Sequence, residues 1–364
     1  FNKDTLPSGY LGVDIFFVIS GFVITSSLAN RESKNFSDFI CGFYERRIKR
    51  LVPPLIVFVI ITSILISFFR TDSSGSLNTA ITSIFGFSNI ALFIKSKDYF
   101  ATSTTLNPFT HTWSLGVEEQ FYFIYPFLIW FSGFGKKTLK SSKNLGILLT
   151  FLAVCSSIFF IYQYLNNQPA AYFLMPSRFW EMAIGCLLFL SINRKYYIIQ
   201  KLKKIPSSWI LSAIIGCMFM PITYGVLSTF LVVFLSAFLI NSLSEGDIAF
   251  KILTNKAIIY LGLISYSLYL WHWGVLSISR WTIGIHWWTI PFQAIIILFI
   301  SIISYKYIEK PLRRKEWSLK RILSISKGVL ALIFSALTII GLIKPFRSNL
   351  YLGNKNVLIK KPYF

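Results

Sequence analysis

Five stretches of this chain place ionisable side chains in otherwise apolar surroundings. The first runs Phe43-Tyr-Glu-Arg-Arg-Ile-Lys-Arg-Leu-Val-Pro53. Arg46 and Arg50 are four apart and Arg47 and Arg50 three apart, so on a helix the three guanidiniums share one side. Clustered guanidiniums suit phosphate groups through bidentate bonds. A headgroup-binding stretch at a membrane surface uses the same pattern. Phe39, Ile40, Phe43 and Leu51 give an apolar face, predicting an amphipathic helix at the inner interface. The second stretch is His111-Thr-Trp-Ser-Leu-Gly-Val-Glu-Glu-Gln-Phe-Tyr122. A histidine opens a span, and two adjacent carboxylates follow. Glu118, Tyr122 and Tyr125 fall on one helical face. Glu118 and Glu119, buried side by side, resist ionising together, which suits proton transfer or a hydrogen bond to a polar substrate. Pairing with a distant arginine such as Arg178 is the plainer use.

The third stretch, Arg178-Phe-Trp-Glu181, holds an i,i+3 pair that can be a structural ion pair. The fourth runs Leu261-Gly-Leu-Ile-Ser-Tyr-Ser-Leu-Tyr-Leu-Trp-His-Trp273, with Ser265, Tyr269 and His272 expected on one face. It reads as an inward hydrogen-bonded stripe or as part of a site. No soft ligands accompany His272, so no metal is expected. In the fifth, Glu309 sits at the inner end of a span among cations, and Pro311 is expected to end that helix. Asp14 lies in an apolar opening run. His286, in an outer loop with Trp287 and Trp288, reads as an interfacial anchor. The four cysteines show no metal-like spacing and read as small packing residues. No Walker, GxGxxG, GxSxG or HExxH pattern is present.

The elements that hold these residues must lie in a membrane. Apolar types make up 54% of the 364 residues, charged types 14%, and mean hydropathy is +0.62. That composition excludes a disordered chain and argues strongly against a water-soluble enzyme. The net charge of +22 fits basic cytoplasmic loops better than nucleic-acid binding. Ten spans are predicted, near 10–29, 51–69, 113–132, 145–164, 177–193, 208–223, 226–243, 257–279, 289–308 and 325–343. A shorter run, 79–94, is broken by Gly86, Ser88 and Asn89 and reads as re-entrant or interrupted. Loops 31–50, 136–144, 194–206, 244–256 and 309–321 hold 23 Lys and Arg, and the alternate loops hold 4, so the first set is expected to face the cytoplasm. Both ends of the chain then lie outside. The expected fold is all-α, a polytopic transmembrane bundle, with residues 1–323 as its main domain, 324–343 as an added span and 344–364 as an external tail or linker. The opening residues read as a loop rather than a start, so a first span is expected upstream of Phe1.

The ordered set of motifs resembles the acyltransferase-3 family of bacterial inner-membrane O-acyltransferases. The set is Gly9-Tyr-Leu-Gly-Val-Asp-Ile-Phe-Phe-Val-Ile-Ser-Gly-Phe22, Phe43-Tyr-x-Arg-Arg-x-x-Arg50 with Pro53, His111-Thr-Trp-Ser-Leu with Glu118-Glu-Gln-Phe-Tyr122, Arg178-Phe-Trp-Glu181, Ser265 to His272, and Tyr307-Ile-Glu-Lys-Pro311. The resemblance implies that acyl-CoA, usually acetyl-CoA, binds from the cytoplasm with its phosphates on Arg46, Arg47 and Arg50. It implies transfer to a hydroxyl of an extracytoplasmic glycan, such as O-antigen or another surface polysaccharide, without a metal. It places the expected catalytic histidine upstream of Phe1; from the residues themselves, His111 is the alternative base and Glu118 or Glu119 the acid that orients a base. It also implies that a C-terminal esterase-like domain can follow. A glycan-lipid transporter or flippase is the competing reading, and a non-catalytic scaffold or sensor is a third. The transporter is weakened by the lack of matched interrupted segments in two halves.

Overall fold

A computed structural model describes the chain except residues 1–5, 30, 32, 71–72, 97–105, 134–138, 195, 204 and 354–364. Lys136, Lys137 and the last part of the expected tail therefore lie outside the described residues. Among those described, the regular structure is entirely helical. The α-helices are α1 Gly12–Ala29, α2 Phe36–Phe69, α3 Ser74–Ile84, α4 Ser88–Ser96, α5 Trp113–Phe131, α6 Leu139–Asn166, α7 Gln168–Phe173, α8 Met175–Asn193 and α9 Tyr197–Leu202. They continue as α10 Ser207–Met218, α11 Gly225–Ser242, α12 Ile248–Leu253, α13 Lys256–Thr282, α14 Ile290–Ser304, α15 Lys310–Arg314, α16 Arg321–Thr338 and α17 Lys344–Leu350.

Among the described residues, eight helices are long and apolar enough to cross a membrane, where ten spans were expected. The two that differ have clear reasons. Helix α10 is 12 residues long, about 18 Å, short of the ~30 Å hydrocarbon core. Helix α5 is long enough at 19 residues but carries Glu118, Glu119 and Gln120. A second difference concerns residues 36–69. The amphipathic stretch and the following span are one continuous helix of 34 residues, about 51 Å long. Such a rod outruns the bilayer, so its arginine-bearing first half can extend beyond the hydrocarbon. Pro53 and Pro54 sit inside it and leave the carbonyls of Lys49 and Arg50 without their usual donors. The neighbouring Leu51 carbonyl accepts a bond from Tyr266 Oη at 2.9 Å. Pro311 likewise does not stop its helix. A π-helical turn, Tyr305–Glu309, carries α14 into α15, a wider turn that accommodates the missing proline donor.

The chain divides into two compact units, residues 1–36 with 118–261 and residues 37–117 with 262–364. In the first unit α1 and α8 meet backbone to backbone. A Cβ on Gly21 would lie 2.0 Å from the Met182 carbonyl oxygen, and one on Gly185 would lie 2.0 Å from that of Val18. Small residues permit such approach between membrane helices, where lipid gives no hydrophobic drive for association. In the second unit the interrupted segment forms two short helices, α3 and α4, joined at Gly86 with φ of 72°. Hydroxyls on either side of the break tie it to the turn before α5. Ser83 Oγ bonds Thr112 Oγ1 at 2.7 Å, and Ser88 Oγ donates to the Thr112 carbonyl at 2.8 Å.

Candidate active site

Each unit buries its own polar system. In the first, α1, α5 and α8 bring together residues far apart in sequence. The Arg178 Nη1 group donates to Glu181 Oε1 at 2.7 Å and to Asp14 Oδ1 at 2.9 Å. Its Nε donates to the Tyr172 carbonyl at 3.3 Å. The guanidinium lies 5.3 Å from the Phe160 and Tyr172 ring centroids. All three charged side chains are buried, and among the described residues Asp14 Oδ2 and Glu181 Oε2 have no hydrogen-bond donor. The i,i+3 pair expected from sequence is present, with Asp14 as a second acid. This triad carries a formal charge of −1 when both acids are ionised. Arg178 is thus engaged by Asp14 and Glu181 rather than by the Glu118–Glu119 pair.

Glu118 has different company. Ser20 Oγ and Tyr122 Oη both donate to its Oε1, and Ser20 Oγ lies 2.5 Å from Tyr122 Oη. One turn on, Tyr125 Oη bonds Thr25 Oγ1 at 2.6 Å, and Thr25 also donates to the Gly21 carbonyl at 2.7 Å. The expected shared face of Glu118, Tyr122 and Tyr125 is therefore a hydroxyl ladder against α1. Glu119 is half-buried. Sequence reasoning missed Ser20 and Thr25, whose signal was two hydroxyls in an apolar helix.

The second unit holds the histidines. His111, on a short turn before α5, packs its ring 5.1 Å from Tyr269, 5.4 Å from His272 and 5.6 Å from Phe58, centroid to centroid. Tyr269 Oη bonds Ser114 Oγ at 2.6 Å and donates to the His111 carbonyl. His272 Nδ1 lies 2.7 Å from the Tyr269 carbonyl. A carbonyl can only accept, so Nδ1 carries the proton and the basic lone pair sits on Nε2. Burial, reinforced by the His272 imidazole, holds His111 well below the ordinary histidine value of 6.5. Its two ring nitrogens are buried and form no hydrogen bond of good geometry among the described residues. Ser265 does not join this group. It is exposed, while Ser267 is fully buried and donates to Glu309 Oε2 at 2.8 Å. Two residues along a helix is about 200° of rotation, and the buried spacing of Ile264, Ser267, Leu270 and Trp271 marks the inward face.

Glu309 is buried rather than part of a surface cluster, and Arg50 and Arg313 act on it electrostatically. Arg46 is exposed, while Arg47 and Arg50 are half-buried. Arg47 lies 5.7 Å over the Phe43 ring, and Arg50 Nε is buried without a hydrogen-bond acceptor. Among the cysteines, Cys186 and Cys217 are buried as expected, but Cys155 is exposed. His286 stacks on Trp288 at 5.7 Å. No cluster of three metal-binding side chains occurs among the described residues.

A helical chain with many membrane-length helices and acids, hydroxyls and imidazoles enclosed among them defines a multi-pass membrane protein with a buried polar interior. Residues 2–306 match the family described as Acyltransferase domain, and the chain belongs to that family. It is 28% identical over 348 residues to the O-acetyltransferase OatA of Staphylococcus aureus (strain NCTC 8325 / PS 47), covering 91% of this chain and 57% of that protein. It is 28% identical over 334 residues to the peptidoglycan O-acetyltransferase OatA of Listeria monocytogenes serovar 1/2a, covering 86% and 53%. To OatA of Staphylococcus aureus (strain MRSA252) it is 29% identical over 332 residues, covering 86% and 54%. The chain thus spans about half the length of these curated relatives. No solved structure matches it.

Proposed function

We propose that the chain is the membrane-embedded part of an O-acetyltransferase that moves an acetyl group from cytoplasmic acetyl-CoA to a hydroxyl of a cell-surface glycan. The observation that carries this reading is the family match over residues 2–306, which contains every polar cluster described above except Glu309. Relatives named as peptidoglycan O-acetyltransferases favour a peptidoglycan-like acceptor over O-antigen. Within the second unit the spacing suits a long thioester donor. Arg46, Arg47 and Arg50 would hold its phosphates. Phe58, which packs against His111, lies eight residues beyond Arg50 on α2, about 12 Å along the axis. An extended pantetheine arm spans such a gap.

In the transfer, the glycan hydroxyl oxygen attacks the thioester carbonyl carbon, its proton passes to a base, and the C–S bond breaks to release the coenzyme thiolate. His272, with its lone pair on Nε2, is the base offered by the described residues, and His111 is the alternative. Tyr269 would position both. The test uses the intact protein in proteoliposomes with radiolabelled acetyl-CoA inside and a peptidoglycan fragment outside. Label in the glycan supports the reading. Glycan movement without any acyl donor, and no label, would instead support a flippase and end it. Replacing all three arginines by glutamine should abolish coenzyme binding; unchanged affinity would remove the donor-site assignment.

A further inference from the structure

The first unit contains a groove of about 530 Å³ between the start of α6 and the end of α8, away from the triad and the hydroxyl ladder. Its two ends differ in chemistry. At one end stand Lys143 on the first turns of α6 and Arg194 just past α8. Arg194 is held in place, its Nε donating to Ser142 Oγ at 3.0 Å and its Nη1 to Tyr196 Oη at 2.7 Å. Away from this end the walls are Ile147, Phe151, Leu187 and Leu190, with Thr150 among them donating its hydroxyl to the Gly146 carbonyl at 2.8 Å, and Ile147 and Phe151 are exposed along the side of a membrane-length helix. Among the described residues, no carboxylate lines the groove. Two cations beside a long apolar trough complement a molecule with an anionic head and a hydrocarbon tail, and the trough opens where lipid chains lie. The volume falls in the range of ligand-holding pockets.

We propose that this groove binds one anionic phospholipid from the leaflet at its basic end. The phosphate sits between Lys143 and Arg194, and one acyl chain runs along Ile147, Phe151 and Leu190. The site is independent of the acyl-transfer reading. Gly146, on the groove wall, provides a clean block. A Cβ there meets nothing within 4 Å, so a larger side chain fills the trough without disturbing the packing of the unit.

The intact protein, released from nanodiscs and weighed by native mass spectrometry, should retain one phosphatidylglycerol and no phosphatidylcholine. Lys143→Gln should weaken retention about fivefold, and Lys143→Gln with Arg194→Gln about thirtyfold. Because Arg194 also braces Ser142 and Tyr196, Gly146→Leu supplies the second arm: it should displace the lipid while both cations remain. Equal retention of phosphatidylcholine, or wild-type retention by both Lys143→Gln and Gly146→Leu, overturns the proposal. Glycerol 3-phosphate binding as tightly as phosphatidylglycerol also overturns it, since that would make the groove a phosphate site without a role for the chain.

Discussion

Removing Arg178 and removing one of its acids should have very unequal consequences. In the triad, one guanidinium nitrogen serves Asp14 at 2.9 Å and Glu181 at 2.7 Å. Arg178→Gln leaves two buried carboxylates without a countercharge. Breaking a buried pair from one side costs about 3–5 kcal/mol, and the lost cation–π contacts with Phe160 and Tyr172 add to it. Glu181→Gln, by contrast, leaves a one-to-one Asp14–Arg178 pair and keeps an amide oxygen where the carboxylate accepted. Its cost should stay near 1 kcal/mol, because the substitution also relieves repulsion between the two acids. Arg178→Lys keeps the charge but not the planar fork and should fall between them. The triple variant Asp14→Asn, Glu181→Gln, Arg178→Gln should regain much of what Arg178→Gln loses. Equilibrium unfolding of the protein in bicelles by SDS titration reads all four. A Glu181→Gln variant as unstable as Arg178→Gln, or a triple variant no better than Arg178→Gln, would show that charge balance does not govern this cluster.

His111 is held below its ordinary value, so the unfolded chain takes up its proton first as pH falls. Stability should be full above about 6.5 and decline as pH drops from there toward the folded value. His111→Gln should flatten that part of a melting-temperature profile between pH 7.5 and 5, and an unchanged slope would contradict the burial. Gly21→Ala and Gly185→Ala each drive a methyl to 2.0 Å from a backbone oxygen and should cost about 3 kcal/mol or more, whereas Gly12→Ala, facing open space, should be neutral on the same melting assay. Ser267→Ala removes the hydroxyl that Glu309 accepts from and should cost about 1–3 kcal/mol, while Ser265→Ala should change nothing measurable. If His272 is the base, His272→Gln should lower kcat by about 10²–10⁴ with little change in KM, and Tyr269→Phe should lose less because the carbonyl that fixes the His272 tautomer remains.

The class of fold was open to reading because twenty apolar residues in a row have few other uses, and the i,i+3 spacing of Arg178 and Glu181 implied their contact. Where the reading failed, the deciding information was tertiary or lay in the exact phase of a helix. Ser265 and Ser267 are both small, polar and inside one motif, and only the burial of Ile264, Leu270 and Trp271 separates them. Asp14 could be seen as a polar residue in a span, but its partner lies 164 residues away. Ser20 and Thr25 carry no charge, and their one signal, two hydroxyls in an apolar helix, does not say which partner they meet. Pro311 suggested a boundary, yet a proline is tolerated in a membrane helix when neighbours or a π turn satisfy the freed carbonyl, and nothing local to the proline says whether that neighbour exists.

The close contacts and the polar groups of this protein belong to one solution. Gly21 is adjacent to Ser20, which reaches Glu118 and Tyr122. Gly274 lies two residues past His272 and admits Phe58 to within 2.9 Å of where a Cβ would be, and Phe58 in turn packs on His111. Gly116 lies two residues past Ser114 and admits Asn89 and the Gly86 carbonyl, while Ser114 bonds Tyr269. In lipid, helices are held by close packing and interhelical hydrogen bonds rather than by expulsion of water. In each case the glycine admits one neighbour while a residue close by meets another: Gly21 lies against the Met182 carbonyl of α8 while Ser20 bonds Glu118 of α5, and Gly116 lies against Asn89 of α4 while Ser114 bonds Tyr269 of α13. Short side chains have few rotamers to lose, and the groups they hold have little freedom to wander. Polar atoms held in this way before any substrate arrives are what the proposed acyl transfer would need, and the glycines beside them let a second neighbour pack close.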